Sequence, residues 1–520
     1  MPLAREMPVT PSLRGQFPTR PAAVTPPSRR ETIVFVFSLL AIVLPPWLIG
    51  AWTNWALWST FALALLAFAT LFIPMADYRA WPPSPSVSVM VTRLKKFPIF
   101  WLGLAILAYG IVAALNPFRT FLISDRHAWL EATPHFAWLP QSIITPFWPM
   151  NTWRALLMLI PAWLVTCAAW VGLETELAWR RLLGMVAING LLIALLGVVQ
   201  ALSGTHDIFW FYMPYFGNVE PAFFASFIYA GHAAAWMVLA FGATAAMMDH
   251  RLRRRDPDEP PRRWGWPALT AWVWLEVMMV LLLALGVFVR PEFWVLAAGG
   301  VLALCAWLWL ARWWRAGQKR RAAVYALPAL VFIALVLGTT AGAVWWWRQG
   351  SGTSLEVNPR DASLPLRYAI ATTSAAMIKD EPFWGWGPGS FRYVAPDYLR
   401  NNPLFTDPAR PGVVRYNVNF AHSDWVQIVA EWGLAGASLF AAILLWSVSQ
   451  VWRLRKVLPG ESWILLGTVT LILAGAIADF PLYNPTVLIV MGALLSAAIK
   501  LGEISARPRP ALSKVVVACP

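Results

Sequence analysis

Long apolar runs alternating with short polar connections dominate the chain. A spanning α-helix needs about 20 mostly apolar residues, and about twelve runs meet that criterion. They lie near residues 32–50, 55–74, 98–115, 152–172, 182–203, 225–248, 267–289, 293–311, 325–347, 426–450, 463–480 and 485–502. The pattern predicts an all-α integral membrane protein of about twelve transmembrane helices. The expected division is a Pro/Arg-rich tail over 1–31, helices 1–9 over 32–347, a large and partly helical loop over 348–425, helices 10–12 over 426–503, and a tail over 504–520. No internal repeat is visible.

The polar connections set the orientation, because Lys and Arg collect on the cytoplasmic side of membrane proteins. With the N-terminus inside, 29 of the 41 Lys and Arg fall on the inner side and 12 on the outer. Every short basic connection agrees with that topology, from Arg93, Lys95 and Lys96 through Arg180 and Arg181 to Arg453, Arg455 and Lys456. Both termini are then cytoplasmic. Three outer segments are long: roughly 116–151, 204–224 and 348–425. A connection as long as the third is either functional or disordered. Its Trp, Phe, Tyr and Gly content argues for order, which makes it the segment where chemistry is expected.

Composition agrees with this reading. Of 520 residues, 59% are hydrophobic and 13% charged, too apolar for a soluble protein to cover its own surface. The 34 Trp suit the two water–lipid boundary belts. A net charge of +15 would fit nucleic acid if it formed one stripe. It lies instead in short clusters between apolar runs, so no nucleic-acid partner is expected. Cys167 and Cys305 fall in apolar runs and Cys519 in the tail; no disulfide framework or metal spacing appears. The first apolar run starts too far from Met1 for a cleavable signal peptide to be expected.

Two stretches in the third outer segment carry the candidate chemistry. Residues 366–391 read Leu-Arg-Tyr-Ala-Ile-Ala-Thr-Thr-Ser-Ala-Ala-Met-Ile-Lys-Asp-Glu-Pro-Phe-Trp-Gly-Trp-Gly-Pro-Gly-Ser-Phe, and residues 421–436 read Ala-His-Ser-Asp-Trp-Val-Gln-Ile-Val-Ala-Glu-Trp-Gly-Leu-Ala-Gly. Gly385, Gly387 and Gly389 with Pro388 spell a turn that needs positive φ or close backbone approach. No preceding strand or βαβ unit makes it a dinucleotide fingerprint. Together the stretches resemble the O-antigen ligase and polymerase superfamily, in which an Arg opens an outer helix, a glycine turn follows, and a His-Asn-Asp-like motif begins the helix leading into the next span. Here Ser423 stands where the family often has Asn. Val289-Arg290-Pro291-Glu292 stands where a Ser-Arg-Gly-type motif is common, and Gly231-His232 where an Asn-His motif would open the sixth span.

The resemblance implies transfer of a glycan from a polyprenyl-pyrophosphate lipid to an acceptor hydroxyl at the periplasmic face of a bacterial inner membrane. It implies His422 as the base, with Arg367, Arg290 and Arg392 as pyrophosphate ligands, and Gly385, Gly387, Gly389, Asp424 and Glu431 in support. The chemistry suits these types. A guanidinium is permanently charged and binds phosphate oxygens bidentately, and an imidazole titrates near ambient pH. The donor already carries a good leaving group, so no metal or other cofactor is expected. Each residue also has a plainer reading. His422 would be a helix-start residue held by Ser423 and Asp424, Arg367 and Arg392 solvated loop cations, and Arg290 a snorkelling anchor. Asp424 and Glu431 would either orient His422 or cap the helix. Glu276, inside the seventh span, is either functional or a protonated packing residue.

The implied acceptor is a glycolipid, a growing glycan or a protein, which separates a ligase from a polysaccharide polymerase or a protein O-oligosaccharyltransferase. The partners are thus the lipid-linked donor, that acceptor and membrane lipids. A twelve-span transporter is the rival class. It predicts paired halves and polar midplane pathways, and the lopsided outer segment and lack of repeats speak against it.

Overall fold

A computed structural model describes residues 27–75, 84–124, 128–148, 150–205, 207–213, 223–253, 364–400, 402–407, 410–414 and 418–506. Arg290, Glu276 and the expected spans near 267–289, 293–311 and 325–347 lie outside these residues.

Along the chain come α1 (Arg29–Trp47), α2 (Asn54–Ala69), α3 (Val87–Lys95), α4 (Pro98–Leu115), strands β1 (Pro117–Ile123), β2 (Ala128–Ala132) and β3 (Ser142–Ile144), then α5 (Thr152–Gly172), α6 (Glu176–Leu202) and α7 (Ala230–Arg253). The later part holds α8 (Leu364–Asp380), α9 (Phe391–Leu399), β4 (Thr406–Asp407), β5 (Arg410–Val414), α10 (Asp424–Leu454), α11 (Gly460–Gly475) and α12 (Pro485–Ala506). Each expected span within the described residues contains a helix, though not always over its full length. Eight of these helices, α2 with its 3-10 continuation to Phe72 among them, are long and apolar enough to cross a membrane, and α11, with 16 residues, is shorter. The protein is a multi-pass, predominantly helical membrane protein.

Helix α7 is the centre of the bundle: 94% of its apolar window is buried, against 28% for α10. Its Ala-rich sequence lets neighbours approach closely, as small residues do in membrane interfaces. It packs against α6 and α11, while α12 packs along α5. The fully buried Trp179 and Trp236 fill the space between them. At one end of the bundle the Glu31 carboxylate accepts from Glu174 N and Thr175 N at 2.9 and 2.7 Å, tying the start of α1 to the α5–α6 turn.

Two departures from the sequence pattern matter for the opposite end. The 116–151 segment is not simply a connection. It forms a three-stranded sheet in the order β2-β1-β3, with β1 antiparallel to β2 and parallel to β3. The span expected over 463–480 also stops early. α11 ends at Gly475, and residues 476–484 turn back through a single 3-10 turn, Pro481–Tyr483, before α12 begins at Pro485. Proline at 481 cannot continue a helix, and Asp479 is poorly placed in lipid.

Helix α10 is broken at Gly433 (φ 61°, ψ −176°). A break frees backbone N–H and C=O groups that must find other partners. The segment between α8 and α9 supplies them. Leu434 N and Ala435 N donate to the Pro382 and Phe383 carbonyls at 2.9 and 3.1 Å. In return Trp386 N and Gly387 N donate to the Ala430 and Glu431 carbonyls at 3.0 and 2.8 Å. The Tyr109 hydroxyl lies within hydrogen-bond distance of the Trp384 and Trp432 carbonyls as well (2.8 and 2.7 Å).

Candidate functional site

The helix break and the glycine turn complete each other, and this joint builds the floor of the site. Gly385, Gly387 and Gly389 all have positive φ (70°, 97° and 77°), a region other residues rarely adopt. Close approach also demands glycine. A Cβ on Gly387 would lie 2.5 Å from Ser142 Cα, and one on Gly385 2.4 Å from Gly433 N.

Glu431, buried to 1% exposure, locks this turn. Its carboxylate accepts from Gly389 N (2.8 Å), Phe391 N (3.1 Å), Gln427 Nε2 (3.0 Å) and the Tyr483 hydroxyl (2.6 Å). It therefore caps the start of α9 and joins the turn to the 476–484 loop. Burial, and then the adjacent Glu431 carboxylate, push the Tyr483 phenol well above its ordinary pKa, which keeps it a donor.

Asp424, fully buried, opens α10 and is fastened to the same loop. Its N–H lies 2.9 Å from the Ala476 carbonyl and 3.2 Å from that of Asp479, and its carboxylate accepts from Leu482 N at 2.8 Å. Ser423 stands at the N-cap position but makes no side-chain cap bond. Neither residue caps α10 in the way a helix-start reading anticipates.

His422 precedes this start with φ +52°, a strained value for a non-glycine residue. Its ring stands edge-on to Phe480 at 5.3 Å. Phe480 is the hub of an aromatic cluster. It also stacks on Phe420 (4.2 Å) and Tyr229 (4.7 Å) and meets His232 edge-on (5.2 Å). His232, at the start of α7, directs Nε2 to the Phe480 carbonyl at 3.1 Å, and the Tyr229 hydroxyl donates to Asp479 at 3.0 Å. Arg367, on α8, reaches the same loop, with Nη1 donating to the Ala478 carbonyl at 3.1 Å. The 476–484 loop is thus contacted by both His422 and Arg367, which are 55 residues apart in sequence.

Arg392 lies on α9 rather than on that loop. Its guanidinium is 5.7 Å from the Tyr393 ring and is electrostatically coupled to Arg154, in the first turn of α5. Burial lowers the Arg392 pKa, partly offset by Tyr393. A desolvated guanidinium of this kind gains from any anion brought to it. Nothing in the sequence singles out Arg154. It is buried, donates to the Asn54 side chain and the Trp52 carbonyl, and lies over the rings of Trp148 (4.7 Å) and Trp52 (5.9 Å). Trp52 bridges the two groups of residues, with its ring 6.0 Å from His232 and 6.1 Å from Phe420. It follows three residues with positive φ, Ile49, Gly50 and Ala51, and the Gly50 carbonyl is held by Asn484 Nδ2 at 3.1 Å. Strain of this kind, of order 1–3 kcal/mol per residue, collects at functional sites.

An apolar cavity of about 400 Å³ runs between α4, α5, α10, α11 and α12. Trp425, Leu482 and Tyr483 line it at the site end, and Val448, 64% exposed, opens its flank. Among the described residues, one group with metal-ligand spacing, Glu176, His250 and Glu461, lies at the opposite end of the bundle. Arg180 already pairs with both of its carboxylates.

The O-antigen ligase family model matches residues 293–441. The chain carries an O-antigen ligase domain. The match takes in the glycine turn, Arg367, Arg392, His422, Asp424 and Glu431, and it extends back through residues outside those described. The match supports a role of the ligase and polymerase kind in polysaccharide biosynthesis. Arg154, Trp52 and the 476–484 loop lie outside the O-antigen ligase match and are supplied by the surrounding helices. No curated protein matches the chain.

Proposed function

We propose that the protein transfers a glycan from a polyprenyl-pyrophosphate lipid to an acceptor hydroxyl at the periplasmic face of the bacterial inner membrane. The observation that carries this reading is that the His422 imidazole and the Arg367 guanidinium both contact the 476–484 loop, whose Leu482 and Tyr483 line an apolar cavity. A base, a phosphate ligand and a place for a lipid tail are the three things the reaction needs.

In the proposed step His422 takes the proton from the acceptor hydroxyl, and the acceptor oxygen forms the new bond to the anomeric carbon. The bond from that carbon to the pyrophosphate oxygen breaks, and its electron pair leaves with the polyprenyl pyrophosphate. Arg367 and Arg392 meet the negative charge that grows on the leaving group, with Arg154 adding to the field behind Arg392. Arg290, from the sequence reading, remains a further proposed ligand. Guanidiniums supply the charge neutralisation, so the reading assigns no metal to the step. Gly385, Gly387, Gly389, Asp424 and Glu431 position these groups rather than touch substrate. The apolar cavity takes the proximal isoprene units.

The test is reconstitution of the purified full-length protein with a lipid-linked glycan and three acceptors in parallel: a glycolipid, a second lipid-linked glycan and a peptide hydroxyl. The reading expects release of polyprenyl pyrophosphate with a glycosylated product from one of them. Transport of the intact donor across the vesicle membrane, with no product, would overturn it in favour of a carrier.

A further inference from the structure

The end of the bundle opposite the candidate site carries a second cavity, of about 480 Å³, that the proposed reaction does not use. Four cations line it: Arg93 and Lys96 beside the start of α4, Arg453 near the end of α10, and Lys500 on α12. Glu174 and Glu503 are the carboxylates in its wall, which leaves positive charge in surplus. Arg93 pairs with Glu174 at 2.6 Å, while Arg453 and Lys500 both lean on Glu503, at 3.1 and 3.0 Å. A guanidinium and an ammonium share the Glu503 carboxylate, and Lys96 is exposed.

The upper wall of this basic cavity is aromatic. Trp170 and Trp446 line it and also line the lower end of the apolar cavity that climbs toward Tyr483. The two spaces therefore meet at these rings. Lys500 Nζ lies 4.1 Å from the centroid of Trp170, at the junction of the charged and apolar parts. A cationic mouth that opens upward into an apolar slot has the amphipathic profile of a phospholipid standing in its leaflet. A free phosphate would satisfy only the mouth. Basic pockets between helices at the cytoplasmic boundary are suited to anionic lipid headgroups.

We propose that this cavity is a binding site for an anionic glycerophospholipid of the inner leaflet. The phosphodiester and headgroup lie among Arg93, Lys96, Arg453 and Lys500, and one acyl chain passes Trp170 and Trp446 into the apolar cavity. The inference rests on the topology argued above and is independent of the transfer chemistry. It also implies that the lower part of the apolar cavity is filled by this lipid, leaving the part near Tyr483 and Trp425 to the donor's tail.

The experiment is native mass spectrometry of the full-length protein in detergent, titrated with phosphatidylglycerol or with phosphatidylcholine of identical chains. The wild type is expected to retain phosphatidylglycerol preferentially. Lys96→Gln with Arg453→Gln is expected to weaken that retention by about ten- to thirty-fold. Arg455→Gln with Lys456→Gln removes the same charge at the same end but outside the cavity, and is expected to leave retention unchanged. Lys96 and Arg453 are exposed, so their loss leaves the fold intact, which unchanged phosphatidylcholine binding will register. Equal retention of the two lipids by the wild type overturns the proposal, as does equal loss in both double variants. Competition by millimolar glycerol 1-phosphate as effective as by the whole lipid overturns the acyl-chain placement and leaves a free-phosphate site.

Discussion

Replacing Glu431 tests the joint between the broken helix and the glycine turn. Its carboxylate receives two backbone N–H groups, an amide and a phenol, all in a site from which water is excluded. Glu431→Ala leaves the Gly389 and Phe391 N–H groups and the Tyr483 hydroxyl without their acceptor. Each stranded buried group costs about 1–3 kcal/mol, and with partial relaxation the sum is about 3–6 kcal/mol. Glu431→Gln keeps the shape and one acceptor oxygen, but its amide faces the donors on the other side. The cost is then about 1–3 kcal/mol. Hydrogen exchange reads this locally, because the penalty appears as opening of the turn. Protection of the Gly389 and Phe391 amides is expected to fall by about 10²–10⁴-fold in Glu431→Ala, with Glu431→Gln between it and the wild type. Amides within α7 should keep their protection. Unchanged protection at Gly389 and Phe391 in Glu431→Ala would refute the clamp.

Three further outcomes follow from the same geometry. Gly387→Ala, with φ of 97° and a Cβ 2.5 Å from Ser142 Cα, should reduce folded yield and abolish transfer. Gly184→Ala, where a Cβ meets nothing within 4 Å, should behave as wild type, and size-exclusion yield with a transfer assay compares the two. Asp424→Ala should cut transfer by about five- to a hundred-fold by leaving the buried Leu482 N–H without its acceptor, at a cost of about 1–3 kcal/mol, while membrane insertion is unchanged; fractionation and turnover measure both. Leu404→Cys, at a 48%-exposed position in a cysteine-free background, should react with an impermeant maleimide on intact spheroplasts. Reaction only after lysis would reverse the topology.

Much of the fold is legible because lipid imposes one rule, a long apolar run for each helix. The runs over 98–115 and 152–172 coincide with α4 and α5. The rule failed at 463–480, where the apolar run Ile472 to Ile477 passes without a break into a loop. The signals were Asp479 and Pro481, which one charge and one proline made easy to absorb into a span. The candidate site is legible in the sequence where its residues are local. The glycine turn, His422 and Arg367 stand in two short stretches, and the family match covers both. Arg154 and Phe480 are not, because their surroundings come from distant parts of the chain. A lone Arg near a span end reads as an anchor until Trp52 and Trp148 are seen around it. The sheet order β2-β1-β3 was hidden for the same reason: its strands are short and its parallel pair is non-local. Glu431, left open between orienting the histidine and capping α10, does neither, since all four of its bonds go to the turn, Gln427 and Tyr483.

The central claim is that an imidazole and a guanidinium that contact one loop carry out glycan transfer. Single-turnover transfer from a polyprenyl-pyrophosphate glycan, measured for wild type, His422→Ala and Arg367→Ala in the same proteoliposomes, addresses it directly. Loss of the base should slow the step by about 10²–10⁴-fold, and loss of the guanidinium by about ten- to a hundred-fold, with all three proteins inserted equally. Wild-type rates in both variants would contradict the account.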